Sequence, residues 1–364
     1  MIEGFAKLLV QYCLDVQKGD LVRVGSSPAA SPLVKEVYRE ALKAGGHPYL
    51  RLGLPGIAEI FFGTAGKHQL SHVNPIDIHE IERVDKIINI RAAVNKKALT
   101  NVDPKRQQTA NRAMRDYREI YMRRSASKEL EWCSTLFPTN ASAQDAEMSL
   151  NEYEDFVFRA CMLHRKDPVA AWRGVHRKQA KACRRLGECS TLRIVREETD
   201  ITMKVAGRKW INSDGRRNMP SGEVFTGPIE DSVEGTIAFS FPAVWGGREV
   251  HGVRLTFKRG KVVKASAQKG EDFLHAVLDT DQGARFLGEV AVGTNYNIQR
   301  FTKNILFDEK IGGTVHVAVG ASYPESGGKN TSGIHWDMIT DMREGGKIYG
   351  DGKVIYKDGQ FVIE

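Results

Sequence analysis

The chain has 364 residues, 41% hydrophobic and 27% charged, with 53 basic against 45 acidic side chains for a net charge of +8. That length suits about two globular domains, each with its own core. No run approaches the roughly 18 uninterrupted apolar residues that span a bilayer.

The start, Met1-Ile-Glu-Gly-Phe, has no basic n-region and no long apolar h-region, so export is not expected. Cys13, Cys133, Cys161, Cys183 and Cys189 form no CxxC pair. They read as reduced thiols of a cytoplasmic protein, not as a disulfide frame or a zinc ribbon. The basic excess lies in helix-like stretches, Lys105-Arg106, Arg123-Arg124 and Arg173 to Arg185. No RNP, zinc-finger or helix-turn-helix pattern accompanies it, so it reads as a solvated face and nucleic acid is not an expected partner.

Residues 1–16 place Phe5, Leu8, Leu9 and Cys13 at helical spacing. Asp20 to Gly25 reads as a strand, and Ser31-Pro-Leu-Val to Gly46 as a helix with a serine cap, an early proline and a glycine stop. His47 to Leu52 and Lys86 to Arg91 are the next strands, which predicts a Rossmann-like parallel α/β sheet. Residues near 104–124, 141–162 and 168–187 read as helical. From about Ser190 short alternating segments take over, among them Thr191 to Val195, Asp200 to Val205, Val253 to Phe257 and Lys261 to Ala267. A helix is expected near 271–288, and Val354 to Ile363 reads as a hairpin turning at Asp358-Gly359. The expectation is an α/β amino-terminal domain over 1–188. A mainly antiparallel α+β domain over 189–364 would carry the chemistry.

Metal-ligand residue types gather in that second half. In an extended His335-Trp-Asp337, residues i and i+2 point to one side, so imidazole and carboxylate can share an ion while Trp336 turns away. A capping aspartate after a half-buried histidine is the plain alternative. In Gly313-Thr-Val-His-Val-Ala-Val-Gly, Val315, Val317 and Val319 share one face, and His316 sits on the other between Thr314 and Ala318. Glu223 follows the turn Met219-Pro-Ser-Gly, and Glu289 follows Gly283-Ala-Arg-Phe-Leu-Gly; each alone reads as a surface carboxylate. There is no HExxH helix. Three carboxylates and two neutral imidazoles would carry −3, a charge that two divalent cations balance with +1 to spare for hydroxide.

Four long segments go further: Asn218-Met-Pro-Ser-Gly-Glu-Val-Phe-Thr-Gly-Pro, Gly283-Ala-Arg-Phe-Leu-Gly-Glu-Val-Ala-Val-Gly, Ile305-Leu-Phe-Asp-Glu-Lys-Ile-Gly-Gly-Thr-Val-His and Asn330-Thr-Ser-Gly-Ile-His-Trp-Asp. With Gln17-Lys-Gly-Asp-Leu-Val and Ala146-Glu-Met-Ser-Leu-Asn-Glu-Tyr, they resemble the aminopeptidase T/aminopeptidase S family of metallopeptidases over essentially the whole chain. The resemblance implies that Glu223, Glu289, His316, His335 and Asp337 hold two divalent ions: zinc, cobalt, manganese or magnesium. It implies catalytic roles for Glu289 and Tyr323, with Tyr323 otherwise an aromatic packed beside a turn. It also implies removal of amino-terminal residues from peptides through a two-metal-activated water, and a homodimer. The rival readings are a dihydroxypyridine-cleaving iron dioxygenase on the same scaffold and a non-catalytic basic binding protein.

Overall fold

The computed structural model describes residues 1–362. Its contacts form two compact units, Met1–Ala171 with Gly215–Pro220, and Trp172–Asp214 with everything from Ser221 on. The division falls at the start of the long helix Pro168–Gly187, whereas the expected boundary near 188 is its end. The return of residues 215–220 to the first unit was not expected.

The first unit is built on a parallel sheet in the spatial order His47–Leu52, Leu21–Ser26, Lys86–Arg91, Glu131–Leu136, Asn218–Met219. Val22, Val24, Ile87 and Ile88 are fully buried in it, as β-branched residues suit a sheet covered on both faces. The helix Ser31–Lys43 buries Leu33, Val34, Val37 and Ala41 at helical spacing. The Ser31 hydroxyl is not its cap: it donates to the Pro28 carbonyl at 2.5 Å, closing a short turn over Pro28–Ala30. The helical stretches expected near 104–124 and 141–162 are each two helices, Pro104–Ala113 with Arg115–Ala126, and Asn140–Asp145 with Leu150–Ala160. A capping box between Ser149 and Glu152 starts the last of them.

The second unit contains an eight-stranded antiparallel sheet with Lys261–Ser266 at one edge and Gln360–Phe361 at the other. A five-stranded antiparallel sheet runs His335–Asp341, Thr314–Gly320, Leu287–Gly293, Glu223–Thr226, Ile211–Ser213. Side chains from both sheets form one apolar core, with Ile194, Ile201, Leu255 and Phe257 from the first and Val290, Val317, Trp336 and Met338 from the second. The helix expected near 271–288 stops at Leu278. The Asp281 carboxylate accepts the backbone N–H groups of Gly283 and Ala284 at 2.9 and 3.0 Å, which turns the chain into a loop. The expected carboxyl-terminal hairpin forms between Lys353–Lys357 and Gln360–Phe361. Asp358 and Gly359 take φ of 47° and 81° at its turn. Ile363, the far end of that hairpin, and Glu364, the end of the expected second domain, lie outside the described residues.

Candidate metal centre

Pairing in the five-stranded sheet decides which side chains meet. His316 pairs with Ala291 and Ile339, Ala318 with Glu289 and Asp337, Gly320 with His335, and Gly293 with Glu223. Directly paired residues of an antiparallel sheet share a face. All five expected ligands therefore stand on one face, interleaved with Ala291, Gly293, Ala318 and Gly320, which leave room above the sheet. The opposite face carries Val315, Val317, Val319 and Trp336, all 1% exposed or less. The alternation expected at His316 and at His335-Trp-Asp337 is present.

The five side chains meet as two lobes joined by one carboxylate. Glu289 Oε1 lies 3.2 Å from His316 Nε2, and Glu289 Oε2 lies 3.6 Å from His335 Nε2. Glu223 Oε2 is 3.5 Å from His316 Nε2, and Asp337 Oδ1 is 3.5 Å from His335 Nε2. His335 Nδ1 donates to the Ala321 carbonyl at 2.7 Å. That bond fixes the ring and turns Nε2 toward the carboxylates, as in histidines that bind metals. Three atoms of the cluster, Glu223 Oε2, Asp337 Oδ1 and His316 Nδ1, are buried without a hydrogen-bond partner. Orphans of that kind are costly unless an ion satisfies them.

The electrostatics agree with this layout. Burial raises the Glu289 carboxyl above its ordinary range, although His316 pulls it back. Burial disfavours a charged His335, but Asp337 and Glu289 outweigh it and hold its pKa up at about 10. Burial likewise raises Asp337, and His335 outweighs it to give about 2. His316 is raised in the same way, with Glu289 and Glu223 overcoming burial. A pocket that draws protons onto two imidazoles draws a divalent cation by the same field.

Tyr323 follows the Thr314–Gly320 strand and packs its ring 5.0 Å from His335 and 5.5 Å from Phe225, centre to centre. As a residue it is 45% exposed. Burial nevertheless leads the causes that raise its phenol pKa, ahead of Glu289, Asp337 and Glu223.

Two residues were missed in the sequence. Glu309 groups with His316 and Asp337 as a second possible three-donor set, beside Glu223, Glu289 and His316. The Lys310 ammonium pairs with Glu309 and lies 3.5 Å from Glu223 Oε1. Their opposite charges cancel, so the cluster still carries −3. The available signal was the charged run Asp308-Glu309-Lys310 held between apolar Phe307 and Ile311, ending in a turn where alternation says nothing about direction.

A sequence profile described as thermophilic metalloprotease (M29) matches residues 1–361. The chain is 30% identical over 412 aligned residues to Aminopeptidase 2 of Geobacillus stearothermophilus, covering 100% of this chain and 98% of that one. It is 27% identical to Aminopeptidase AmpS of Bacillus subtilis (strain 168), with 91% and 87% covered. Among solved structures, wild-type AmpT from Thermus thermophilus matches with a TM-score of 0.85 at 25% identity, covering 100% of this chain and 99% of that one. A 2,5-dihydroxypyridine dioxygenase from Pseudomonas putida KT2440 reaches 0.58 at 14% identity, covering 99% and 96%, a likeness of fold alone. A match over the whole described length, with curated aminopeptidases among the relatives, decides between the rival readings: the chain belongs to the thermophilic metalloprotease family M29 and is a metallo-aminopeptidase.

Proposed function

We propose that Glu223, Glu289, His316, His335 and Asp337 hold two divalent cations, and that the site removes amino-terminal residues from peptides. One observation carries this reading: the two oxygens of Glu289 face different histidines, at 3.2 and 3.6 Å. A carboxylate shared in this way suits a paired-ion site. The donors, carboxylate oxygen and imidazole nitrogen, suit zinc, cobalt, manganese or magnesium.

Bound divalent cations supply Lewis acidity, lowering the pKa of water and polarising a scissile carbonyl. The chain's own groups do the rest. Ala321 holds the His335 ring through Nδ1, and Glu289 spaces the two lobes. Tyr323, with its pKa raised, stays protonated at neutral pH, so its hydroxyl can donate to the oxygen that gains charge as the carbonyl is attacked. A carboxylate of the same cluster suits the free ammonium of a peptide amino terminus.

Two further expectations belong to the proposal. A homodimer is supported by the segment from Leu50 to Phe61 in the first unit. The helix Ile57–Thr64 buries none of its residues, and Leu54, Ile57 and Ile60 are 62%, 54% and 62% exposed, the kind of apolar surface that interfaces cover. A cytoplasmic location is supported by the five cysteines, all free. Among the described residues no helix is long and apolar enough to cross a membrane.

The test is metal content and leucine-p-nitroanilide hydrolysis measured on one preparation. The expected result is two equivalents of metal, activity abolished by chelator and activity restored by a divalent ion. Full activity in metal-free protein would sink the reading.

A further inference from the structure

Lysines are seldom fully buried, and those that are have charged partners. Lys310 is fully buried, and its partners are carboxylates of the candidate metal centre. Its backbone N–H donates to the Phe307 carbonyl at 3.0 Å, and its own carbonyl accepts the Asn295 N–H at 3.1 Å. The next residue lies hard against the sheet, since a Cβ on Gly293 would stand 2.2 Å from the Ile311 carbonyl. Gly293 is the residue paired with Glu223. The turn therefore packs closely beside Glu223, and the Lys310 side chain has no exposed surface.

The position of this charge is not neutral between the two lobes. Lys310 pairs with Glu309 and with Glu223, at 3.5 Å for the latter. Both of those carboxylates group with His316 as possible ligands. In the other lobe His335 is paired with Glu289 and Asp337. Asp337 shares a possible three-donor set with Glu309 and His316 and also feels the Lys310 charge. Among the described residues, however, no lysine or arginine forms an ion pair with it or with Glu289, so of the expected ligands the ammonium sits closest to Glu223.

We infer that Lys310 makes the two cation positions unequal. The lobe of Glu289, His335 and Asp337 takes the first ion tightly. The lobe of Glu223 and His316 takes its ion weakly, because a fixed ammonium already sits on its carboxylates. The inference rests on the two-cation reading above and deepens it. A unit charge held a few ångströms from an arriving dication at low effective dielectric lowers affinity by at least about tenfold.

The experiment is a calorimetric titration of the metal-free full chain with manganese(II), with free ion followed by its paramagnetic resonance. The wild type should bind two ions in steps separated by at least about tenfold. Lys310→Met should tighten the weaker step by a similar factor. It should also lower the melting temperature of the metal-free chain, because Glu223 and Glu309 lose their counter-charge, and manganese should reverse that loss. Lys310→Arg keeps the charge and should keep two unequal steps. Should Lys310→Met fail to fold, the wild-type and Lys310→Arg titrations still decide. Two indistinguishable tight steps in the wild type would overturn the inference and leave the two-cation reading standing, as would a weak step that Lys310→Met does not move. A single equivalent in every variant, even at millimolar manganese, would overturn both.

Discussion

Each unit of this enzyme encloses a cluster of opposed charges, and the two clusters differ in how they are balanced. In the first unit Glu80 gives one oxygen to Arg23 and the other to Arg51, each at 2.9 Å, while Arg51 also holds Asp77 at 2.8 Å. Two arginines meet two carboxylates, and both Glu80 oxygens are occupied. In the second unit Glu223, Glu289, Glu309 and Asp337 pair, among the described residues, with Lys310 and two imidazoles, and buried oxygens of Glu223 and Asp337 are left without partners. The first arrangement balances its charges within the protein, leaving no carboxylate oxygen of Glu80 free even though Arg23 Nε and Tyr49 OH are buried without partners, and it stabilises a fold. The second leaves charge and buried oxygens unbalanced within the protein, and that shortfall is what makes it the candidate site.

Four measurements would break or sharpen the contrast. Glu289→Gln should have the largest effect, since it removes the carboxylate that both lobes share. Losing several kcal/mol of charge stabilisation lowers the rate by roughly a thousandfold, and metal analysis should register less than two equivalents in a folded chain. Full activity would show that the shared carboxylate is not the hinge of the site. Tyr323→Phe comes next, with kcat lower by about a hundredfold and bound metal unchanged. Loss of metal instead would give Tyr323 a structural role.

Glu80→Gln should leave metal content and low-temperature activity intact and destabilise the fold by about 2 kcal/mol, less than for a deeply buried pair because Arg51 is 41% exposed at its side chain. Denaturant melts would measure this, and an unchanged midpoint would contradict a stabilising role. The pH dependence has a definite sign. Burial pushes the Glu80 carboxyl up, but its bonds to Arg23 and Arg51 outweigh that and depress it. Its contribution is therefore present above the unfolded carboxyl range near 4.5 and is lost as pH falls through the depressed folded value. The acid limb of the wild-type stability curve should flatten in Glu80→Gln. The smallest effect on chemistry belongs to Ile60→Lys, which should shift the light-scattering mass toward single chains with no change in the melting curve. A wild type that is already monomeric would remove the dimer reading.

How much of this was legible in the sequence depends on whether a residue sits in periodic structure. His316 among alternating valines and His335-Trp-Asp337 declared their faces, because a strand has a period of two. Glu223 and Glu289 are equally central, yet no local pattern separates them from surface glutamates. Their direction is set by pairing with Gly293 and Ala318, partners remote in sequence. Glu309 and Lys310 were invisible for a different reason, since a turn has no period at all. The parallel strands of the first unit were readable up to Lys86–Arg91. Asn218–Met219 was not, because two residues carry no pattern and its neighbour is the distant Glu131–Leu136 strand. The helix past Leu278 was overextended because Asp281 captures backbone donors that a helix would use.

The excursion of residues 215–220 limits how this chain can be cut. A break at 171 would leave the amino-terminal piece without its outermost strand, stripping Ser134 N–H of the Arg217 carbonyl at 2.7 Å and Thr135 Oγ1 of the Met219 carbonyl at 2.6 Å. The carboxyl-terminal piece would inherit those carbonyls with nothing to receive, just upstream of Glu223. The chain thus passes between the units more than once, and an engineer wanting the second unit alone would have to replace that six-residue stitch with a new loop before Glu223.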